Sequence, residues 1–300
     1  MSRTVTVGID GSRESLAAAE WAAREAKLRE LPLRVVNVRE PVPFVQAPFL
    51  GDEDQRKWTE YIPREAAEGL RRRHPELEIT SEQLKGRPGD VLTEAAAEAD
   101  LLVLGSSGLS SFGGFLVGSV GQAVVSRTER PVVLVRAPEA GEHDRLPAAD
   151  AQVPPIAPDG PVVLGLDANA PDELLIGFAF AEAARRDAPL RVVHSWNLPP
   201  YFAYGLPPDP ELDERLGAAE AAALSAALDP WRRKYPAVEV VEQAEPGRAV
   251  DQLVAASDGA SLLVVGRRIR RATAFGGRIG SVAHAVLHHS AAPVAVIPHP

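Results

Sequence analysis

Short apolar runs alternate with stretches of helical periodicity along the whole chain. Val5–Ile9, Leu33–Val38, Leu77–Thr80, Leu101–Leu104 and Val132–Val135 are aliphatic runs of strand length. The segments between them read as helices. Ser12 is placed as an N-cap, with Leu16, Ala19, Ala23 and Ala26 down one side of the helix that follows. Pro63 is placed at the opening of a second helix, which ends near His74-Pro75. Asp90 is placed as the cap of a third helix over Val91–Glu98, and a fourth runs from Gly118. Strands that alternate with helices predict a parallel sheet covered on both faces. In such open sheets ligands sit beyond the carboxyl ends of the strands, at a switch point. Asp10 and Gly105 stand at the ends of the first and fourth predicted strands.

The pattern occurs twice. Val7-Gly8-Ile9-Asp10 matches Leu164-Gly165-Leu166-Asp167, and Pro32-Leu33-Arg34-Val35-Val36 matches Pro189-Leu190-Arg191-Val192-Val193, both at an offset of 157. Leu102-Val103-Leu104-Gly105 matches Leu263-Val264-Val265-Gly266 at 161, and Gly118-Ser119-Val120 matches Gly280-Ser281-Val282 at 162. A period this long means duplicated domains and not a solenoid. The expected layout is a first domain over 1–138, a linker over 139–160 and a second domain over 161–300. Prolines crowd the junction, six of them between Pro138 and Pro161, which makes the linker semi-rigid. Phe178 stands where the first copy has Trp21, so Trp21 is read as helix packing and not as a stacking platform.

Composition narrows the class of function. A formal net charge of −9 argues against a nucleic-acid or anionic-membrane binder, which needs a basic face. The chain has no cysteine, which excludes disulfides, thiolate metal sites and cysteine nucleophiles. The absence of an apolar leader or an 18-residue apolar run gives the expectation of a cytoplasmic protein with no membrane span. His284 and His288 are spaced i, i+4, but no third ligand is evident, and no protein-held metal is expected. Arg71-Arg72-Arg73 and Arg232-Arg233-Lys234 are read as satisfying carbonyls at helix ends, and Asp52-Glu53-Asp54 as a solvated loop.

The chemistry concentrates in one stretch. Gly105-Ser106-Ser107-Gly108 is followed, nine residues on, by Gly118-Ser119-Val120, so that a glycine loop links a strand to a helix N-terminus. Glycines admit close backbone approach and positive φ. The free N–H groups and the dipole of the following helix favour phosphate. Ser106, Ser107, Ser110 and Ser119 add hydroxyl donors without bulk. Neither G-x-x-x-x-G-K-[ST] nor G-x-G-x-x-G is present; what stands here is G-x2-G-x9-G-S.

With Val7-Gly8-Ile9-Asp10-Gly11-Ser12, Trp21-Ala22, Gly86-Arg87-Pro88 and Pro131-Val132-Val133-Leu134-Val135 in the same order, the chain resembles a tandem universal stress protein. The resemblance covers nearly everything outside the linker. It implies two Rossmann-like domains of the adenine-nucleotide alpha-hydrolase type, each a five-stranded parallel sheet with helices on both faces. It also implies ATP as ligand, with Mg2+ accompanying it. The implied site is Gly8, Ile9, Asp10, Val38, Gly105, Ser106, Ser107, Gly108, Ser110, Gly118, Ser119 and Val120. In it the loop glycines and Gly118-Ser119 hold the triphosphate, Asp10 lies near the adenosine and the Val38 backbone meets the adenine edge. Asp10 has a second reading as helix cap and turn former.

The second copy keeps Gly165, Asp167, Gly266, Gly280 and Ser281 but departs elsewhere. Ile269 stands where Gly108 does, Ala168-Asn169 replaces Gly11-Ser12, and the loop carries Arg267, Arg268, Arg270 and Arg271. Two readings follow: the arginines clamp phosphate in another geometry, or the site has decayed and the charges are solvated. Decay is the simpler, and it predicts one nucleotide per chain. The expected function is a nucleotide-responsive regulator in stress response. A slow ATPase or phosphotransfer enzyme and an ATP-independent assembly module are the alternatives. The resemblance also raises pairing through the last strands, either between the repeats along Val132–Val135 and Val294–Ile297 or in a homodimer.

Overall fold

A computed structural model describes residues 3–40, 52–106, 118–137, 159–198, 209–269 and 279–300, with the backbone alone over 52–60. The elements run β1 (Val5–Ile9), α1 (Arg13–Leu28), β2 (Leu33–Arg39), α2 (Asp52–Arg73), β3 (Ile79–Lys85), α3 (Pro88–Glu98), β4 (Leu101–Ser106), α4 (Ser119–Arg127) and β5 (Val132–Arg136). The second series is β6 (Val162–Gly165), α5 (Glu173–Arg186), β7 (Leu190–Trp196), α6 (Pro210–Lys234), β8 (Val240–Pro246), α7 (Ala249–Ala256), β9 (Leu262–Arg268), α8 (Ser281–His289) and β10 (Val294–His299). The chain divides into two compact units, one holding β1–β5 and the other β6–β10.

Each unit is an α/β layer structure of the Rossmann-like kind. In the first, the strand order is β3-β2-β1-β4-β5, and every pairing within it is parallel. In the second it is β8-β7-β6-β9-β10, again all parallel. Strands buried on both faces need continuous apolar sequence. Val5, Val7, Leu101, Leu102 and Val103 are fully buried, as are Val162, Val163 and Leu164.

Helix packing follows from small residues. Ala17, Ala18, Ala19, Ala22, Ala23 and Ala26 of α1 are all buried, a wider stripe than one helical side. The alanines let the helix axis lie close to the sheet. Trp21 is buried at 7% exposure, as a packing residue should be. Each unit also buries an i, i+4 ion pair under its first helix. Glu25 accepts from Arg29 at 2.6 Å, and Arg29 reaches on to Asp100 at 2.6 Å. Glu182, at the matching position, accepts from Arg185 at 2.7 Å and from Arg186.

Three local expectations are corrected. Pro63 lies inside α2, which begins at Asp52, so Asp52-Glu53-Asp54 is helical and not loop. α3 begins at Pro88 with Arg87 as N-cap; Asp90 is in its first turn and pairs with Arg127 of α4 at 2.5 Å. The third strand is Ile79–Lys85, not Leu77–Thr80, because pairing with β2 over its whole length carries it through polar residues. The arginine clusters also act differently. Arg71 donates to the Ile79 carbonyl on β3 at 2.6 Å, Arg73 pairs with Glu20 on α1 and Arg232 pairs with Glu242 on β8. Arg71, Arg73 and Arg232 thus tie helices to neighbouring elements.

Candidate functional site

In the first unit the strand order turns back between β1 and β4: the chain leaves one towards β2 and the other towards β5. A crevice opens at the carboxyl ends of two such strands, where no helix crosses over. A cavity of about 250 Å³ lies there. Of the site residues named from the sequence, Gly8, Ile9, Asp10, Val38, Gly105, Gly118, Ser119 and Val120 line it. Ser106 lies beside it in β4, 3% exposed, and its hydroxyl has no hydrogen-bond partner among the described residues. Ser107, Gly108 and Ser110 lie outside the described residues, as does most of the 139–160 linker.

Register builds the floor. Gly8 is paired with Val36 on β2 and Leu104 on β4, so the three share one face of the sheet. A Cβ on Gly8 would lie 2.7 Å from Leu104 and 3.2 Å from Leu92 of α3, so that face is the one α3 covers. Val36, Val38, Leu92 and Pro88 then supply an apolar platform. The rim is polar: Asp10, Ser12, Glu14 and Ser15 come from the start of α1, and Ser119 from the start of α4. Sequence reasoning missed Val36, Leu92, Glu14 and Ser15. The period of two along β2 places Val36 on the face of Val38 and would have found it.

Gly105 and Gly118, at the two ends of the loop, serve different purposes. A Cβ on Gly105 would lie 2.6 Å from the Glu14 carbonyl carbon and the Ser15 nitrogen. Gly105 is therefore required by the close approach of α1, whatever binds. Gly118 has an ordinary φ of −57°, and a Cβ there would meet nothing within 4 Å. It caps α4 with no side-chain hydrogen bond, so the first N–H groups of that helix are left for another acceptor.

Asp10 forms the turn before α1 and also lines the cavity. Its Oδ1 accepts from the Ser12 N–H at 2.9 Å and the Ser12 hydroxyl at 2.5 Å, and it lines the cavity. Ser12 in turn caps α1 by accepting from the Ser15 N–H at 3.2 Å. Gly11 makes this turn at φ +86°, which a side chain rarely adopts. Partial burial pushes the Asp10 carboxyl up, but the hydrogen bonds from Ser12 and Ser15 outweigh it and hold the group below its ordinary range. A lowered folded value gives stability that is present above the unfolded value and lost as pH falls through the folded one. Asp10→Asn keeps an acceptor and removes the charge. Its stability deficit against the native chain should be constant near neutral pH and close below about pH 4, read by urea titration across pH.

The second unit keeps part of this frame. Asp167 accepts from the Asn169 N–H at 3.1 Å, the same turn as at Asp10, and Gly280 caps α8 with open space around it. Ala168 replaces Gly11 and does not have positive φ. α5 is capped further along the chain, by Asp172, which accepts from Leu174 and Leu175. His299 fills the space beside Gly266, where a Cβ would lie 2.7 Å from its Nε2, and pairs with Asp172 at 3.5 Å. Arg267 and Arg268 are in β9 and not in a loop, and Arg267 is only 4% exposed, so it is no solvated charge. Arg270 and Arg271 lie outside the described residues. The His284 and His288 rings lie 4.5 Å apart on α8, tilted at 46°, and no cluster of three metal-ligating side chains occurs among the described residues. No helix of the described residues is long and apolar enough to cross a membrane.

The family model described as the universal stress protein family matches residues 1–136 and again 160–298. A universal stress protein of Mycobacterium tuberculosis strain H37Rv is 33% identical over 97% of this chain and 96% of its own. The crystal structure of a universal stress protein from Archaeoglobus fulgidus DSM 4304 covers 100% of both chains with a TM-score of 0.68 at 17% identity, a likeness of fold. A universal stress protein solved in complex with cAMP is 33% identical over 45% of this chain and 97% of its own, with a TM-score of 0.34. Two matches of one family model, end to end, and a relative similar along the whole length give one conclusion: this chain belongs to the universal stress protein family.

Proposed function

We propose that the first unit binds an adenine nucleotide, ATP with its Mg2+, in the crevice between β1 and β4, and that the chain acts as a nucleotide-responsive regulator in stress response. The observation that carries this reading is Gly118: neither its backbone angle nor its packing requires glycine, yet it sits at an uncapped helix N-terminus facing the cavity. A phosphate at that place accepts the free N–H groups and accounts for the missing side chain. The hydroxyl of Ser119 in the lining adds a donor, and the buried Ser106 hydroxyl, one residue beyond Gly105, has no partner among the described residues. The apolar platform of Val36, Val38 and Leu92 suits a base, with the Val38 backbone at its edge. The charged residues of the described lining are Asp10 and Glu14, both carboxylates. A triphosphate is tolerated beside them when its charge is reduced by Mg2+, which these oxygens are of the type to hold.

Regulation is favoured over turnover because phosphoryl transfer requires a positioned water and a charge-stabilising side chain, and the sequence from Gly105 to Gly118 carries no lysine, arginine or histidine. The second unit is assigned a weaker or absent site, given Ala168 in the turn, Ile269 in the loop and the later start of α5. The test is calorimetric titration of the nucleotide-free chain with ATP–Mg2+, ADP, AMP and cAMP, beside a thermal-shift series. One equivalent of ATP–Mg2+ is expected per chain, stabilising by about 2.7 kcal/mol at 100 times Kd. Two tight equivalents would overturn the one-site assignment. No binding of any nucleotide would leave the assembly-module reading, and turnover above about 1 per second would leave an enzyme.

A further inference from the structure

In the first unit Asn37 of β2 reaches across to the end of β1, where its Nδ2 donates to the Ile9 carbonyl at 2.8 Å. At the matching position of the second unit stands His194 of β7, 2% exposed. Its Nδ1 lies 3.1 Å from the Leu166 carbonyl and 3.3 Å from the Ala168 N–H. These two partners make opposite demands. The carbonyl only accepts, so it needs a proton on Nδ1. The amide only donates, so it needs a bare Nδ1. The other nitrogen, Nε2, is 2.9 Å from the carboxylate of Glu220 on α6 and keeps its proton in either case.

The ring therefore has two complete hydrogen-bonded states that differ by one proton. Neutral, it donates from Nε2 to Glu220 and accepts the Ala168 N–H. Protonated, it keeps Glu220 and donates to Leu166 O, the arrangement that Asn37 holds permanently in the first unit. Glu220 also accepts from Asn169 Nδ2 at 2.9 Å, so the carboxylate, the ring and the Leu166–Asn169 turn form one connected group. We propose that His194 is a proton-operated latch on the β6–α5 turn, exchanging the Ala168 N–H for the Leu166 carbonyl as its anchor and so repositioning Asp167.

Two carboxylates stand by the ring among the described residues. Glu220 faces it from α6, and Asp167 sits on the turn with its carboxylate engaged by the Asn169 N–H. On β8 the residue in register is Ala244. Its neighbours Gln243 and Glu245 alternate to the other face of the sheet. Both groups are carboxylates, the sign of charge that favours a protonated ring. The proposal is independent of nucleotide binding in the first unit.

The test is a pH titration of the full chain followed by backbone amide and histidine ring NMR. The Ala168 and Asn169 amides should move together with the His194 ring, through one shared midpoint. His194→Asn, which copies the first unit, should abolish the amide transition while the other histidine ring signals keep the behaviour they have in the native chain. Glu220→Gln should lower the shared midpoint, since it removes the carboxylate that favours the charged ring. An Ala168 amide that does not move, or that moves equally in His194→Asn, overturns the latch. If His194→Asn fails to fold, an unchanged midpoint in Glu220→Gln overturns it instead.

Discussion

Gly118→Asp is expected to abolish nucleotide binding while leaving the first unit as stable as before, or slightly more so. The two halves of this result have separate causes. Asp is a preferred N-cap, and Gly118 provides none; a carboxylate there would accept from the first N–H groups of α4 and lie at the positive end of its dipole. The new side chain enters open space, since a Cβ meets nothing within 4 Å, and the φ of −57° suits any residue. The gain is about 0.5 kcal/mol. For the ligand the same change is adverse twice over. The carboxylate takes the N–H groups that a phosphate would use, and it adds a third negative charge to a rim that already carries Asp10 and Glu14. ATP affinity should fall at least 100-fold, about 2.7 kcal/mol. Urea titration and calorimetry on the same preparation separate the effects. Native affinity in Gly118→Asp would place the phosphates elsewhere. Gly280→Asp is the matched control and should leave the single site untouched.

A substitution at Gly105 could not make this distinction. A Cβ there lies 2.6 Å from the backbone of Glu14 and Ser15, so α1 must move before any ligand is considered. The two loop glycines look alike in the sequence, and only coordinates divide them into one needed by packing and one that packing does not need. Much else was legible. The duplication, the order of strands and helices and the Ser12 cap all followed from periodicity and short-range rules. The eight lining residues were found because a strand end and a helix start in an open sheet leave little choice of place.

What the sequence hid was set by partners distant along the chain. β3 is a strand because β2 pairs with it over seven residues, although only Ile79 of it is buried. Local hydrophobicity stops too early there. Pro63, read from the sequence as a helix start, lies inside α2 because that helix continues upstream through a charged segment with no apolar run to mark it, whereas Pro88 and Pro210 do open α3 and α6. Arg267 looked like a solvated loop charge; its burial follows from the strand extending two residues beyond the apolar run. The α1 rim of the site was hidden for the same reason. Glu14 and Ser15 reach the cavity only because Gly105 lets the helix come in so close.

The largest loss of stability is expected from Arg29→Leu. The guanidinium is 5% exposed and stands between Glu25, 1% exposed, at 2.6 Å and Asp100 at 2.6 Å. Removing it takes away the cation that Glu25 is buried against, and the desolvated carboxylate keeps its full penalty. Breaking a buried pair in this way costs about 3–5 kcal/mol, far more than a surface ion pair contributes. The net value of the intact pair is a different quantity. Coulomb attraction in the interior is largely offset by what both ions lose on leaving water, so an apolar replacement of both is often neutral. Glu25→Leu/Arg29→Leu should therefore be more stable than Arg29→Leu alone, with Asp100 at 22% exposure able to turn to solvent and to Arg3. Denaturant unfolding of the three variants closes the double-mutant cycle. A double variant as unstable as the sum of the singles would mean that the residues act separately. Recovery would show that the intact pair contributes little net stability and that α1 is held mainly by its buried alanine face. Glu182, placed identically beneath α5, gives the same cycle in the second unit, where Arg186 is the buried partner at 6% exposure.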